Sequence, residues 1–174
     1  MDLSFAVHKL AKFPSNPGGV NFEGLVHLLI HIRCNNTLGL KYHADMKDSF
    51  LSDLSKQARI KTENQLMTFS DSSWQDCPYT GRSTGAYIIF YQGRTIDHGT
   101  NFPGPVYQSS KESDYNAACT AGMALAHFRM LIRELLNKYP DKVPYEASLI
   151  ILDSKSADLM AKNGKDTNHT SNIC

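Results

Sequence analysis

The sequence predicts an α/β domain built on a mixed sheet, in the order βββαβα, with a separate helical segment ahead of it. Three observations lead there. Residues 65–98 hold three short runs, the strongest rich in β-branched and aromatic residues, spaced closely enough for a meander. A helix-start signal and a long apolar periodicity of three and four residues follow over 109–139. After Pro140 comes ASLIIL, continuously apolar, as a strand covered on both faces requires.

A chain of 174 residues with 41% hydrophobic content suits one domain, or one domain plus a fragment, and buries roughly 70% of its unfolded surface. The formal charge of +1 sets up no strong field toward nucleic acid or anionic lipid, so any nucleic-acid contact is local. Cys34, Cys77, Cys119 and Cys174 are far apart and form no CxxC, which reads as reduced thiols in an intracellular protein. No signal peptide is evident, so the expected compartment is cytoplasmic or nuclear, not secreted. No run approaches the roughly 20 apolar residues of a membrane span, and no membrane partner is expected.

Residues 1–40 form the first segment. FPSNPGG punctuates it, and VNFEGLVHLLIHIR has helical length and spacing, with Phe22, Leu25, Val26, Leu29 and Ile32 as a buried stripe. His27 and His31 stand four apart, but HExxH is absent and no third ligand is evident. Residues 41–64 turn polar, as a linker or insertion would. The domain proper is 65–174.

Within it, Gln65 to Ser70 reads as the first strand, Gly85 to Tyr91 as the second, and Gln92-Gly93 as a tight turn into Arg94 to His98. Ser109-Ser110-Lys111-Glu112 matches the S-x-x-E capping box. Tyr115, Ala118, Gly122, Leu125, Ile132, Leu136 and Tyr139 supply the helix's buried face, with Gly122 letting it lie close to a sheet. Ala147 to Leu152 is the fourth strand, and Ser154 to Lys162 a short helix. Such a sheet places ligands outside the carboxyl ends of its central strands.

Three acids mark those ends: Asp71 in LMTFSDSSW, Glu112 in QSSKESDY and Asp153 in SLIILDSKSA. Any one alone reads as a turn or cap residue. Together they can converge on a hard cation, which would make a metal-dependent phosphotransfer site.

The words SDSSW, GRSTGAYIIF, SSKESDY and LDSKSADLMAKN resemble, in order and spacing, the ribonuclease H domain of copia-type retrotransposon polyproteins. There the corresponding words run approximately SDADW, RKSTSGYVFF, SSTEAEY and CDNQSAIALAKN. The upstream LAKFPSNPGGVNFEGLVHLLIHIRCNNTLGLKY is similar to the end of the reverse transcriptase that precedes that domain. The resemblance covers nearly the whole chain. It implies a ribonuclease H-like mixed sheet and hydrolysis of the RNA strand of RNA:DNA hybrids with two Mg²⁺ ions, for which Mn²⁺ is able to substitute. It also implies the reverse transcriptase portion of the parent polyprotein as a partner.

By that resemblance Asp71, Glu112 and Asp153 are the metal-binding and catalytic acids. Asp114 is the substitute within the EAEY-like word. Two residues apart on a helix is about 200° of rotation, so Glu112 and Asp114 cannot both face one site, and the capping position favours Glu112. Arg82 and Ser83, in the RKST-like word, and Ser154 and Lys155, after Asp153, are the candidate nucleic-acid contacts. Ser83 serves a turn equally well and Ser154 a helix cap. Trp74 either stacks on a base or packs.

The chain departs from the family pattern at its end. Where the family carries a fourth acid in a TKHIDIRYHF-like stretch, this sequence reads NHTSNIC, with Asp166 out of register and the final helix missing. Two accounts follow: a retroelement nuclease lacking its C-terminal elements, or a catalytically impaired remnant acting as a nucleic-acid-binding or interaction module.

Overall fold

The computed structural model describes residues 3–13, 15–40, 42, 66–101, 105–139, 148–155 and 159. Nearly all of the polar stretch 41–64, the strand start at Ala147, Pro140 and most of the Ser154–Lys162 helix lie outside them. The chain divides into two compact units, Met1–Met46 and Lys47–Cys174.

The first unit contains helices α1 (Ser4–Leu10) and α2 (Gly19–Cys34). They approach where a Cβ placed on Gly24 would stand 3.3 Å from Leu10 Cδ2. The stripe expected to be buried on α2 is not: Phe22 is 63% exposed, Leu29 56%, and no residue of α2 is buried. Apolar residues run around this helix, Val20 and Ile30 included, and a seven-residue neighbour is too small to cover them.

The second unit holds a four-stranded sheet: β1 (Leu66–Ser73), β2 (Thr84–Tyr91), β3 (Arg94–Asn101) and β4 (Leu149–Leu152), in the order β3-β2-β1-β4. The meander β1-β2-β3 is antiparallel, and β4 pairs parallel to β1. This is the mixed α/β sheet expected from the sequence. Gln92 (φ 51°) and Gly93 (φ 78°) both take positive φ, the two-residue turn whose twist matches a hairpin. β1 runs three residues past its expected end at Ser70, because β2 continues to offer ladder partners: Asp71 pairs with Ala86, Ser72 with Gly85, Ser73 with Thr84. Asp71 therefore lies inside the strand, not after it.

Helix α3 (Ser110–Leu135) crosses the sheet. Ala121, Leu125 and Ile132 pack onto this face, Leu125 and Ile132 joining Leu66 and Ile89 in the core. Two glycines permit the close approach. A Cβ on Gly85 of β2 would stand 3.1 Å from Ala117 Cβ, and one on Gly122 of α3 would stand 3.3 Å from Ile150 Cδ1 of β4. The helix ends before Pro140, and Tyr139, expected on its buried face, lies beyond it and is 54% exposed. Arg129 of α3 donates to Ser148 Oγ and so ties the helix to the entry of β4. Among the described residues, no helix is long and apolar enough to cross a membrane.

Candidate functional site

Chain direction brings the acids to one edge. β1 and β4 are parallel, and their register (Ser70 opposite Leu152) carries Asp71 and Asp153 out at the same end. The first turn of α3 arrives there too, since Ser72 Oγ donates to Asp114 Oδ1 at 2.6 Å. Strand alternation then sorts the side chains. Ser72 faces α3, whereas Phe69 and Asp71 face away from it. Asp71 and Asp153 accordingly rim a concavity of about 440 Å³ whose walls include Phe69, Ala86, Ile88 and Ile151.

Asp71 Oδ1 accepts the Ser72 N–H at 2.7 Å. Its carboxyl is nevertheless held above the ordinary value, first by partial burial and further by the like charges of Asp153 and Asp114, with the Ser72 bond opposing. Asp153 and Asp114 each lie close enough to Asp71 for their charges to oppose its ionisation. A cation at this edge would relieve that repulsion.

Glu112 is placed differently. It is 1% exposed, and its carboxylate accepts the Gln108 N–H at 2.9 Å while its own N–H donates to Ser109 Oγ at 3.3 Å. The N–H of Gln108, one residue ahead of the cap, occupies the Glu112 carboxylate, and the roughly 200° between Glu112 and Asp114 points Asp114 elsewhere, to Ser72. Among the described residues, no group of three or more His, Cys, Asp or Glu side chains is gathered to hold a metal ion.

Ser83, expected at the nucleic acid, is 0% exposed and its Oγ accepts the Gln75 N–H at 3.1 Å. That bond braces the tight loop in which Gln75 takes φ 50°. Asp76 braces the same loop from the other side, with both carboxylate oxygens accepting from Thr84 Oγ1 at 2.9 Å. Arg82 and Ser154 are half-buried, and Lys155 is exposed beside the acid edge. Trp74 is 43% exposed with its indole N–H donating to Tyr107 O at 3.1 Å, so it is anchored at one edge and open elsewhere.

Ser72 and Asp76 were missed in the sequence. A serine following an aspartate carries no distinguishing signal, because that pair is common wherever strands end.

No family model matches the sequence, and no curated protein matches it. Among solved structures the chain is similar to ribonuclease H1 from the halophilic archaeon Halobacterium salinarum NRC-1, at 15% identity over 60% of this chain and 65% of that one, with a TM-score of 0.41. It is also similar to LC11-RNase H1 in complex with an RNA/DNA hybrid, at 13% identity over the same shares and a TM-score of 0.38. A third is LC11-RNase H1 isolated from compost by a metagenomic approach, at 14% identity, 60% and 65% coverage and a TM-score of 0.37. Each match spans less than two thirds of the other chain.

Proposed function

We propose that the second unit is a ribonuclease H-type domain of retroelement descent, acting on the RNA strand of RNA:DNA hybrids with divalent metal. The observation that carries this is the meeting of β1, β4 and the start of α3 at one edge, with Asp153 and Asp114 each in electrostatic reach of Asp71.

The donor set suits Mg²⁺. It offers hard carboxylate oxygens, and Mg²⁺ is usually held by one or two carboxylates plus waters and substrate phosphate, not by an all-protein cage. Asp71 and Asp153 would hold the metal from the concavity, with Asp114 approaching from the α3 side. When bound, a pair of ions supplies charge stabilisation for both the attacking and the leaving oxygen of an in-line displacement. Ser72 keeps Asp71 and Asp114 oriented through its N–H and hydroxyl. Lys155 and Arg82, in the sequence words singled out for nucleic acid, would face phosphates, and Trp74 offers an exposed ring anchored by its N–H. Selection of RNA would rest on 2′-hydroxyls in a wide minor groove, which carries no base sequence preference. The copia-type sequence words, and with them the reverse transcriptase partner and an intracellular setting, belong to the same reading.

A second reading has its own support. Because the described acids are not gathered into a metal cluster, a hybrid-binding module without turnover also fits.

The test is cleavage of a labelled RNA:DNA hybrid by the full chain with Mg²⁺ or Mn²⁺, alongside Asp71→Asn. Metal-dependent cutting that the substitution abolishes is expected. Tight hybrid binding without cutting selects the second reading, and cutting that is metal-independent or survives Asp71→Asn overturns the nuclease.

A further inference from the structure

The face of the sheet turned away from α3 carries two rows of side chains across three strands. Phe69 of β1 stands opposite Ile88 of β2 and Ile151 of β4, which makes the first row wholly apolar. Two residues nearer the sheet edge, Asp71 stands opposite Ala86, and Asp153 follows β4 at the same end. Alanine is the smallest side chain of this second row, and all six residues line the hollow of about 440 Å³.

The floor of the hollow is preformed. The Phe69 ring meets Phe90 edge to face, with centroids 5.5 Å apart and planes at 79°, which restrains it. The volume falls within the range of about 300–1,000 Å³ usual for small-ligand sites, whose walls are mainly apolar with a few polar groups to fix orientation. Here those groups share one sign. Among the described residues lining the hollow, the charged ones are Asp71 and Asp153. Asp71 already stands where ionisation is opposed, and a positive charge beside it offsets that cost.

We propose that this hollow is a binding site for a small aromatic ammonium, its aryl body lying on the row Phe69, Ile88 and Ile151 and its ammonium donating to Asp71 and Asp153. The strand sets the tether. Phe69 and Asp71 are two residues apart, roughly 6–7 Å along β1, a span that a chain of two or three carbons covers. The apolar row supplies contact area, and the carboxylates select for charge. The inference does not rest on the nuclease reading, although ammonium and metal would compete for the same two acids.

The test titrates the full chain, isoleucine-methyl-labelled and kept in EDTA, with tryptamine, its hydroxyl analogue tryptophol and the carboxylate indolepropionate. Methyl resonances are assigned through Ile88→Val and Ile151→Val. Tryptamine should shift the Ile88 and Ile151 methyls with a Kd on the order of 1 mM, as suits a ligand of so few atoms. The methyl of Ile132, in the core on the opposite face, should not move. Tryptophol should bind about 5- to 10-fold more weakly, the difference two partly exposed ion pairs supply, and Asp153→Asn should narrow that gap. Ala86→Leu fills the hollow from an exposed strand position and should weaken tryptamine about 10-fold, with an unchanged Ile132 methyl showing that the fold is kept. Equal affinity for tryptophol, tighter binding of indolepropionate, or full tryptamine affinity in Ala86→Leu each overturns the proposal. So do shifts that spare Ile88 and Ile151, or no shift at several times that concentration.

Discussion

Replacing Glu112 with alanine removes a carboxylate that is 1% exposed and accepts the Gln108 N–H at 2.9 Å. A hydrogen bond to a charged group is worth about 1.5–3 kcal/mol. An acid in the first turn gains about 0.3–1 kcal/mol from the helix dipole. The two contributions are not simply additive, and the Ser109 cap to Glu112 N–H survives the change. The net loss is about 2–3 kcal/mol, without loss of Mn²⁺ affinity. At about 2–4 °C per kcal/mol for a domain of this size, the melt should fall by about 5–10 °C. Trp74 is the chain's one tryptophan and its N–H donates to Tyr107 O, next to Gln108, so its fluorescence reports on this corner. A Glu112→Ala protein that melts within about 1 °C of wild type but no longer binds Mn²⁺ would refute the reasoning and return Glu112 to the acid edge.

Asp71→Asn should change stability with a definite sign. The folded carboxyl is raised above 3.8, chiefly by burial and then by Asp153 and Asp114, so its contribution is present below that value and lost as pH rises through the folded one. The variant should be the more stable protein at pH 7, by at most about 0.5 kcal/mol at so exposed a position, and the advantage should vanish near pH 3. Urea midpoints at the two pH values decide it, and a variant weaker at pH 7 contradicts the assignment. The two packing glycines should differ in sign. Gly85→Ala drives a Cβ to 3.1 Å from Ala117 Cβ and 3.6 Å from its Cα, atoms that cannot yield, at a cost of about 1–3 kcal/mol. Gly122→Ala meets only the tip of Ile150 at 3.3 Å and gains about 1 kcal/mol of helix propensity, so it should be neutral to stabilising. Urea midpoints of equal sign would show that contact rigidity does not govern this interface.

Local signals were legible where the physics is local. The Gln92-Gly93 turn and the Ser109 cap each depend on a few neighbouring residues and emerged as read. The stripe on α2 was misread because periodicity gives an apolar residue a face but not a neighbour to cover it. β1 was read as too short because Ser and Asp resemble a turn until β2 supplies their ladder partners.

By itself the sequence determined the kinds of element, their order and the three acidic words, since propensity, capping and apolar spacing are written within short windows. Only the tertiary structure decided what each acid of the word ESD touches. The Gln108 N–H donates to Glu112, and Ser72 Oγ reaches across the sheet edge to Asp114. Neither partner's role is visible without the fold, because a hydrogen bond across 42 residues has no signature in the chain.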